Sequence, residues 1–132
     1  MAALTIDIVT PGGKVFSGEI RSCTAPGADG EFCILKNHTA LLSALSIGII
    51  KIEMADGKEM LATSGGFLEV LNNRISVMVE TAEWAEQIDV ERAKAAAERA
   101  RKRMEQKHDI DIPRAKLALA RALNRLKVSF HS

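Results

Sequence analysis

The chain opens on strict alternation. Leu4, Ile6 and Ile8 fall on one side of an extended segment, with Thr5 and Asp7 on the other; a period of two is that of a β-strand with one buried face. The pattern returns at Ile50, Ile52 and Met54, set among Lys51 and Glu53, and at Ile75, Val77 and Val79, with Ser76 and Glu80 opposite. Turn-forming residues punctuate these runs: Pro11-Gly12-Gly13, Pro26-Gly27-Ala28-Asp29-Gly30, Asp56-Gly57, Gly65-Gly66 and Asn72-Asn73. Asp56-Gly57 between two alternating runs predicts a hairpin with a type I′ turn, which needs positive φ at both central residues. Short strands at this spacing each hide one face only. Two sheets must therefore close on each other before burial offsets chain entropy, which predicts an antiparallel β-sandwich or flattened barrel.

Near residue 85 the period changes. A helix is predicted from about Ile88 to Lys107, with Asp89 placed to cap its N-terminus. His108-Asp109-Ile110-Asp111-Ile112 interrupts the pattern, and Pro113 suits the first turn of a second helix running to about Val128. That helix carries Leu119, Ala122 and Leu126 as a stripe, widened by Leu123, whereas the first offers Ala93, Ala96, Ala97, Ala100 and Met104. Small faces bury little area at ~25 cal/mol per Å². The hairpin is thus expected to be weakly held, on itself or on the strands, as suits an element that moves. The fold class is α+β: an N-terminal β-sandwich over residues 1–84, then a C-terminal α-helical hairpin over residues 85–132.

Composition sharpens this division. The 132 residues are about one domain, or a small domain with an appendage. All nine glycines lie between Gly12 and Gly66, and ten alanines follow residue 84. Residues 1–84 hold six Lys/Arg and ten Asp/Glu, whereas residues 85–132 hold twelve and seven, so an acidic part precedes a basic one. A net charge of +1, one Trp, four Phe and no Tyr argue against a nucleic-acid binder, as do Glu91, Glu98 and Glu105 among the basic helix residues. No apolar stretch approaches the ~20 residues that span a bilayer, and no signal segment opens the chain. A folded, soluble, intracellular protein is expected.

Candidate chemistry is sparse. Cys23, Cys33 and the histidines at 38, 108 and 131 match no zinc template. A Cys33–His38 pair is conceivable, but the apolar run Phe32-Cys33-Ile34-Leu35 predicts a buried structural thiol. Ser64-Gly65-Gly66 is followed by neither Lys nor helix and reads as a bulge or tight bend, not a phosphate loop. With no catalytic constellation, no enzyme is expected. The arginines are more suggestive. Arg92, Arg99 and Arg103 repeat at seven and four, as do Arg114, Arg121 and Arg125. In a folded hairpin the two rows can converge on an anion, whose oxygens match forked guanidinium donors. The same spacing also describes a solvated face laced with pairs such as Asp89–Arg92 and Glu98–Lys102.

These residues also carry a resemblance. Thr10-Pro11-Gly12-Gly13, Gly30-Glu31 through His38, Ser64-Gly65-Gly66-Phe67-Leu68-Glu69-Val70, Ile88-Asp89-Val90-Glu91-Arg92-Ala93 and Arg121-Ala122-Leu123-Asn124-Arg125-Leu126 occur in an order that resembles the epsilon subunits of bacterial F-type ATP synthases over essentially the full length. The resemblance implies a non-catalytic central-stalk rotor subunit. Its sandwich would bind the gamma subunit and rest on the c-ring; its hairpin would lie folded, or extend along gamma into the alpha/beta catalytic head and obstruct ATP hydrolysis. ATP, alone or with Mg²⁺, would be a regulatory ligand favouring the folded state, and no redox cofactor is implied. The location implied is the cytoplasmic face of a bacterial cell membrane, peripheral through the complex.

By the same resemblance, Ile88 and Ala93 would line an adenine slot, Glu83 and Asp89 would take polar contacts, and Arg92, Arg99, Arg121 and Arg125 would neutralise phosphate. Glu31 and His38 would mark loops facing the c-ring. The chain departs from the family at Leu35-Lys36-Asn37-His38, where relatives often show Leu-Pro-Gly-His, and at Cys33, where they often have Gly. Both changes bear on turn geometry there. A free-standing ATP-responsive binding module is the alternative, separable because a rotor subunit co-purifies stoichiometrically with gamma.

Overall fold

A computed structural model describes residues 3–105 and 112–129. The first part folds into ten strands: β1 (Thr5–Thr10), β2 (Gly13–Glu19), β3 (Ser22–Gly27), β4 (Gly30–Leu35), β5 (Leu41–Leu45), β6 (Gly48–Met54), β7 (Gly57–Thr63), β8 (Gly66–Leu71), β9 (Arg74–Val79) and β10 (Ala82–Trp84). A 3-10 turn (Ala85–Gln87) leads into α1 (Val90–Glu105), and α2 spans Ile112–Ser129. The strands hydrogen-bond in the order β10-β7-β6-β3-β5-β8-β9-β1-β2, with β4 added beside β3. The path turns a corner between β3 and β5, which share one residue pair, Gly27 with Leu45. At the far ends Phe16 of β2 meets Trp84 of β10 edge to face, with ring centroids 5.5 Å apart. The sheet thereby curls into a flattened, nearly closed barrel.

The alternation read along the chain is the inside of this barrel. Leu4, Ile6, Ile8, Ile50, Ile52, Ile75, Val77 and Val79 are all buried together in one cluster. One pairing departs from the antiparallel expectation: β1 runs parallel to β9, Ile6 beside Ile75 and Ile8 beside Val77. A period of two fixes which face is buried but not strand direction, so sequence could not supply this. The hairpin at residues 54–57 forms where expected, yet the residues between Met54 and Gly57 are Ala55 and Asp56, neither with positive φ. The double positive φ of the primed turn belongs instead to Asn72 (50°) and Asn73 (64°), between β8 and β9. Ser64-Gly65-Gly66 is the tight bend expected. Gly65 has φ 110°, and a Cβ on Gly66 would fall 2.1 Å from the Met78 carbonyl oxygen.

Cys33 corrects the expectation of a buried thiol. It is exposed on β4 opposite Thr24, and Cys23, which pairs with Ile34 from β3, is the buried one. The apolar run alternates, with Ile34 inward and Cys33 and Leu35 outward. On the β1–β2 hairpin, the Ser17 hydroxyl donates to Asp7 Oδ1 at 2.5 Å, with Lys14 and Arg74 nearby. That bond, then the two cations, holds the Asp7 carboxyl below its ordinary 3.8. A depressed carboxylate contributes its stability above the unfolded value and loses it as pH falls through the folded one. Ser17→Ala is expected to raise the Asp7 midpoint toward 3.8, read by NMR titration of its side-chain carbon.

The helices differ from the reading at their edges. Asp89 is the cap, its Oδ1 accepting from the Arg92 N–H at 3.0 Å, and α1 begins at Val90, not Ile88. Gln106, Lys107 and residues His108 to Asp111 of the expected interruption lie outside the described residues, whereas Ile112, expected to end the interruption, is the first residue of α2. Pro113 sits in the first turn of α2, as expected. Ala93, Ala97 and Ala100 of α1 and Ala115 and Ala122 of α2 are buried. Leu119 and Leu126 are half-buried, but Leu123 faces solvent and does not widen the stripe.

Candidate functional site

The hairpin lies against the outer side of β6 and β7, and the contact makes a site. It starts from the bend at Gly65: the Glu80 N–H donates to the Gly65 carbonyl at 3.1 Å, and the Thr81 hydroxyl donates to Ser64 Oγ at 2.8 Å. These two bonds hold the link between β9 and β10, and β10 then pairs with β7. After the 3-10 turn, Ile88 is buried with Ala62, Ala85 and Val128, which joins the carboxyl end of α2 to the strands. Asp89 then launches α1. Between these walls lies a cleft of about 590 Å³. Glu80, Thr81, Ala82 and Glu83 form its strand side; Arg92, Ala93, Ala96 and Arg99 form its α1 side; Arg125 reaches in from α2.

Charge in the cleft is balanced, since Glu80, Glu83 and Asp89 face Arg92, Arg99 and Arg125. Arg125 Nε donates to Glu83 Oε1 at 2.5 Å, with both side chains about one-third exposed. Arg92 and Arg99 are exposed and form no ion pair among the described residues. On the rest of α1 the pairing is local: Lys94 lies 3.7 Å from Glu91, and Arg101 lies 4.0 Å from Glu98, in place of the expected Glu98–Lys102 pair. Two uncommitted guanidinium groups can take phosphate-like oxygens. Ala93 and Ala96 leave room for a flat apolar group, and the carboxylates can accept from hydroxyl or amino donors.

Of the residues singled out from sequence, Glu83, Asp89, Arg92, Ala93, Arg99 and Arg125 line this one cleft. Arg121 does not. It borders an adjoining cavity of about 10 Å³ with Ser64, Thr81, Asn124 and Arg125, room for one water at most. Ile88 lies behind the wall in the apolar cluster. Arg103 and Arg114 are not among the lining residues. Sequence reasoning missed Thr10, Glu80, Thr81, Ala82, Gln87 and Ala96. Glu80 and Thr81 follow the last core residue of an alternating run, a position that reads only as a loop until β10 folds back. Glu31 is the second residue of β4 and His38 lies past its end. His38 follows Asn37 (φ 66°), whose N–H donates to Asn73 Oδ1 at 2.6 Å, so the left-handed turn here forms on an asparagine without a glycine.

Comparison with known proteins agrees with this architecture. Residues 3–85 match the family model "ATP synthase, Delta/Epsilon chain, beta-sandwich domain", and residues 86–129 match "ATP synthase, Delta/Epsilon chain, long alpha-helix domain". The chain is 52% identical over 102 residues to the ATP synthase epsilon chain of Desulforamulus reducens, covering 77% of each chain. It is 46% identical over 101 residues to that of Syntrophomonas wolfei, covering 76% of this chain and 74% of the relative. Among solved structures, a chain of the Euglena gracilis mitochondrial ATP synthase (OSCP/F1/c-ring) has the same fold, with a TM-score of 0.85 and 22% identity, covering 99% of this chain and 83% of that one. Strand order, docked hairpin and both family matches together make this chain a member of the ATP synthase delta/epsilon family.

Proposed function

We propose that the chain is a non-catalytic central-stalk subunit of a rotary ATP synthase whose hairpin is a nucleotide-sensitive brake on ATP hydrolysis. The observation that carries this reading is the composition of the cleft: its walls come from the strands, from α1 and from α2 at once. A ligand seated there touches all three only while the hairpin is folded. Such a ligand shifts the folded–extended balance by its differential affinity. Moving a population from 1:99 to 99:1 takes ~5.5 kcal/mol. A hairpin held by alanines, one buried valine and a few polar contacts is within reach of that.

ATP suits the lining. Arg92, Arg99 and Arg125 take the phosphates, Ala93 and Ala96 leave space beside the base, and Glu83 and Asp89 accept from hydroxyl or amino groups. Mg²⁺ would accompany the phosphates as a counterion. With the cleft empty, the balance shifts toward a hairpin extended along gamma toward the alpha/beta head, where it obstructs rotation in the hydrolysis direction. The sandwich stays bound to gamma and the c-ring, at the cytoplasmic face of the membrane. A row of exposed apolar side chains, Val9, Met78 and Phe67, in register across β1, β9 and β8, supports gamma docking on that face.

Titration calorimetry of MgATP into the full chain tests the site. Binding is expected for the unmodified chain. Arg92→Ala removes one charge-assisted contact and is expected to weaken affinity roughly tenfold to a hundredfold. Equal affinity in the two proteins dismisses the cleft as the nucleotide site.

A further inference from the structure

The side of α2 that meets the strands differs from the side that meets α1. Val128, at the carboxyl end, makes the apolar contact with Ala62, Ala85 and Ile88. One turn earlier the contact is polar. Asn124 Nδ2 donates to the Gly48 carbonyl oxygen at 2.7 Å in a partly buried bond, and the next residue, Arg125, reaches Glu83. Two successive residues of one helix therefore hold two different strands, β6 and β10.

The acceptor is rigid. Gly48 opens β6 opposite Thr63, and a Cβ there would come within 2.5 Å of the Pro26 Cβ on β3. Its carbonyl is thus a fixed point on the sandwich surface. A helix pinned to it loses freedom both to rotate and to slide, and a slide of one turn moves a side chain by ~5.4 Å. That shift would take Arg125 out of reach of Glu83 and of the cleft. We infer that Asn124 is a positioning residue: its amide clasps the Gly48 carbonyl, sets the register of α2 on the sandwich and so aims Arg125 into the cleft. The docking role stands on this contact alone; its effect on ATP rests on the nucleotide reading above.

The test uses the full chain, spin-labelled at exposed Cys33 and at Lys102→Cys on α1. Cys23 is buried and its thiol is pushed up to about 12 by desolvation, so it stays unlabelled. Pulsed dipolar distances then report docked and undocked hairpin. Asn124→Asp keeps the shape but loses the donor, Asn124→Leu keeps the volume, and Asn124→Gln keeps the amide. Without nucleotide, the Asp and Leu variants are expected to raise the undocked fraction about fivefold, as for one lost hydrogen bond, while Gln recovers most of the docking. Helix content by circular dichroism stays unchanged. A Leu variant with the original distance distribution means that residue 124 merely fills space, and overturns the proposal. Should the unmodified chain bind no MgATP while the Asp and Leu variants still undock, the cleft reading falls and the positioning role stands.

Discussion

A chain that ends after Glu86 will still assemble into the synthase and leave its ATP hydrolysis unbraked. In the proposed function the two tasks rest on separate parts of the fold. The cluster that holds the sandwich together draws its buried residues from Leu4 to Val79, and among the described residues no hydrophobic side chain beyond Trp84 packs against it. Removing residues 87–132 uncovers Ile49, Met60, Ala62 and Ala85, a small patch of which only the two alanines are buried now. The truncated sandwich should therefore melt close to the temperature of the sandwich in the full chain. The row of Val9, Phe67 and Met78 proposed for gamma docking is untouched. If the hairpin holds nine complexes in ten inhibited, its removal raises the hydrolysis rate roughly tenfold. Hydrolysis rates of the assembled complex, with full and truncated chains, check this; equal rates would rule out braking by the hairpin.

How far sequence reached depends on what each signal encodes. Alternation found the inward faces of β1, β6 and β9, because a period of two is local and one face must be dry. It was blind to the parallel pairing of β1 with β9, which joins segments about seventy residues apart and leaves the same side-chain pattern either way. Cys33 shows the reverse failure. Four apolar residues in a row read as buried, yet Leu35 is 58% exposed and Cys33 faces out with it. Hydrophobicity reports what a residue tolerates, and on this outer face solvent, or a partner in the complex, is what it meets. For the site, the arginine spacing correctly put Arg92 and Arg99 on one side of α1. It could not decide that Arg125, and not Arg121 or Arg114, turns into the cleft, because that depends on how α2 is pinned. Asn124, which sets that rotation, carries no motif of its own and looks like any polar helix residue.

Arg125→Ala is expected to be the most damaging single substitution to nucleotide binding, because the side chain serves two tasks at once. It pairs with Glu83 and so ties α2 to β10, and it brings the third positive charge to a cleft lined by three carboxylates. Alanine turns a balanced site net negative and leaves Glu83 without its partner at a position only about one-third exposed. Both changes oppose a polyphosphate: the first by Coulomb repulsion, the second by releasing the helix that closes the cleft. A lost charge-assisted bond costs roughly 1.5–3 kcal/mol, a factor of about ten to a hundred in Kd, and the docking loss adds to it. Arg125→Lys separates the contributions, since an ammonium keeps the charge but not the guanidinium fork. Its affinity should fall between those of Ala and the unmodified chain. Glu83→Gln completes a cycle: where the pair docks the helix, the double variant Glu83→Gln/Arg125→Ala loses less docking than the two single losses combined. Additive losses would mean that the Arg125–Glu83 pair does not hold the hairpin, leaving the arginine a phosphate contact only.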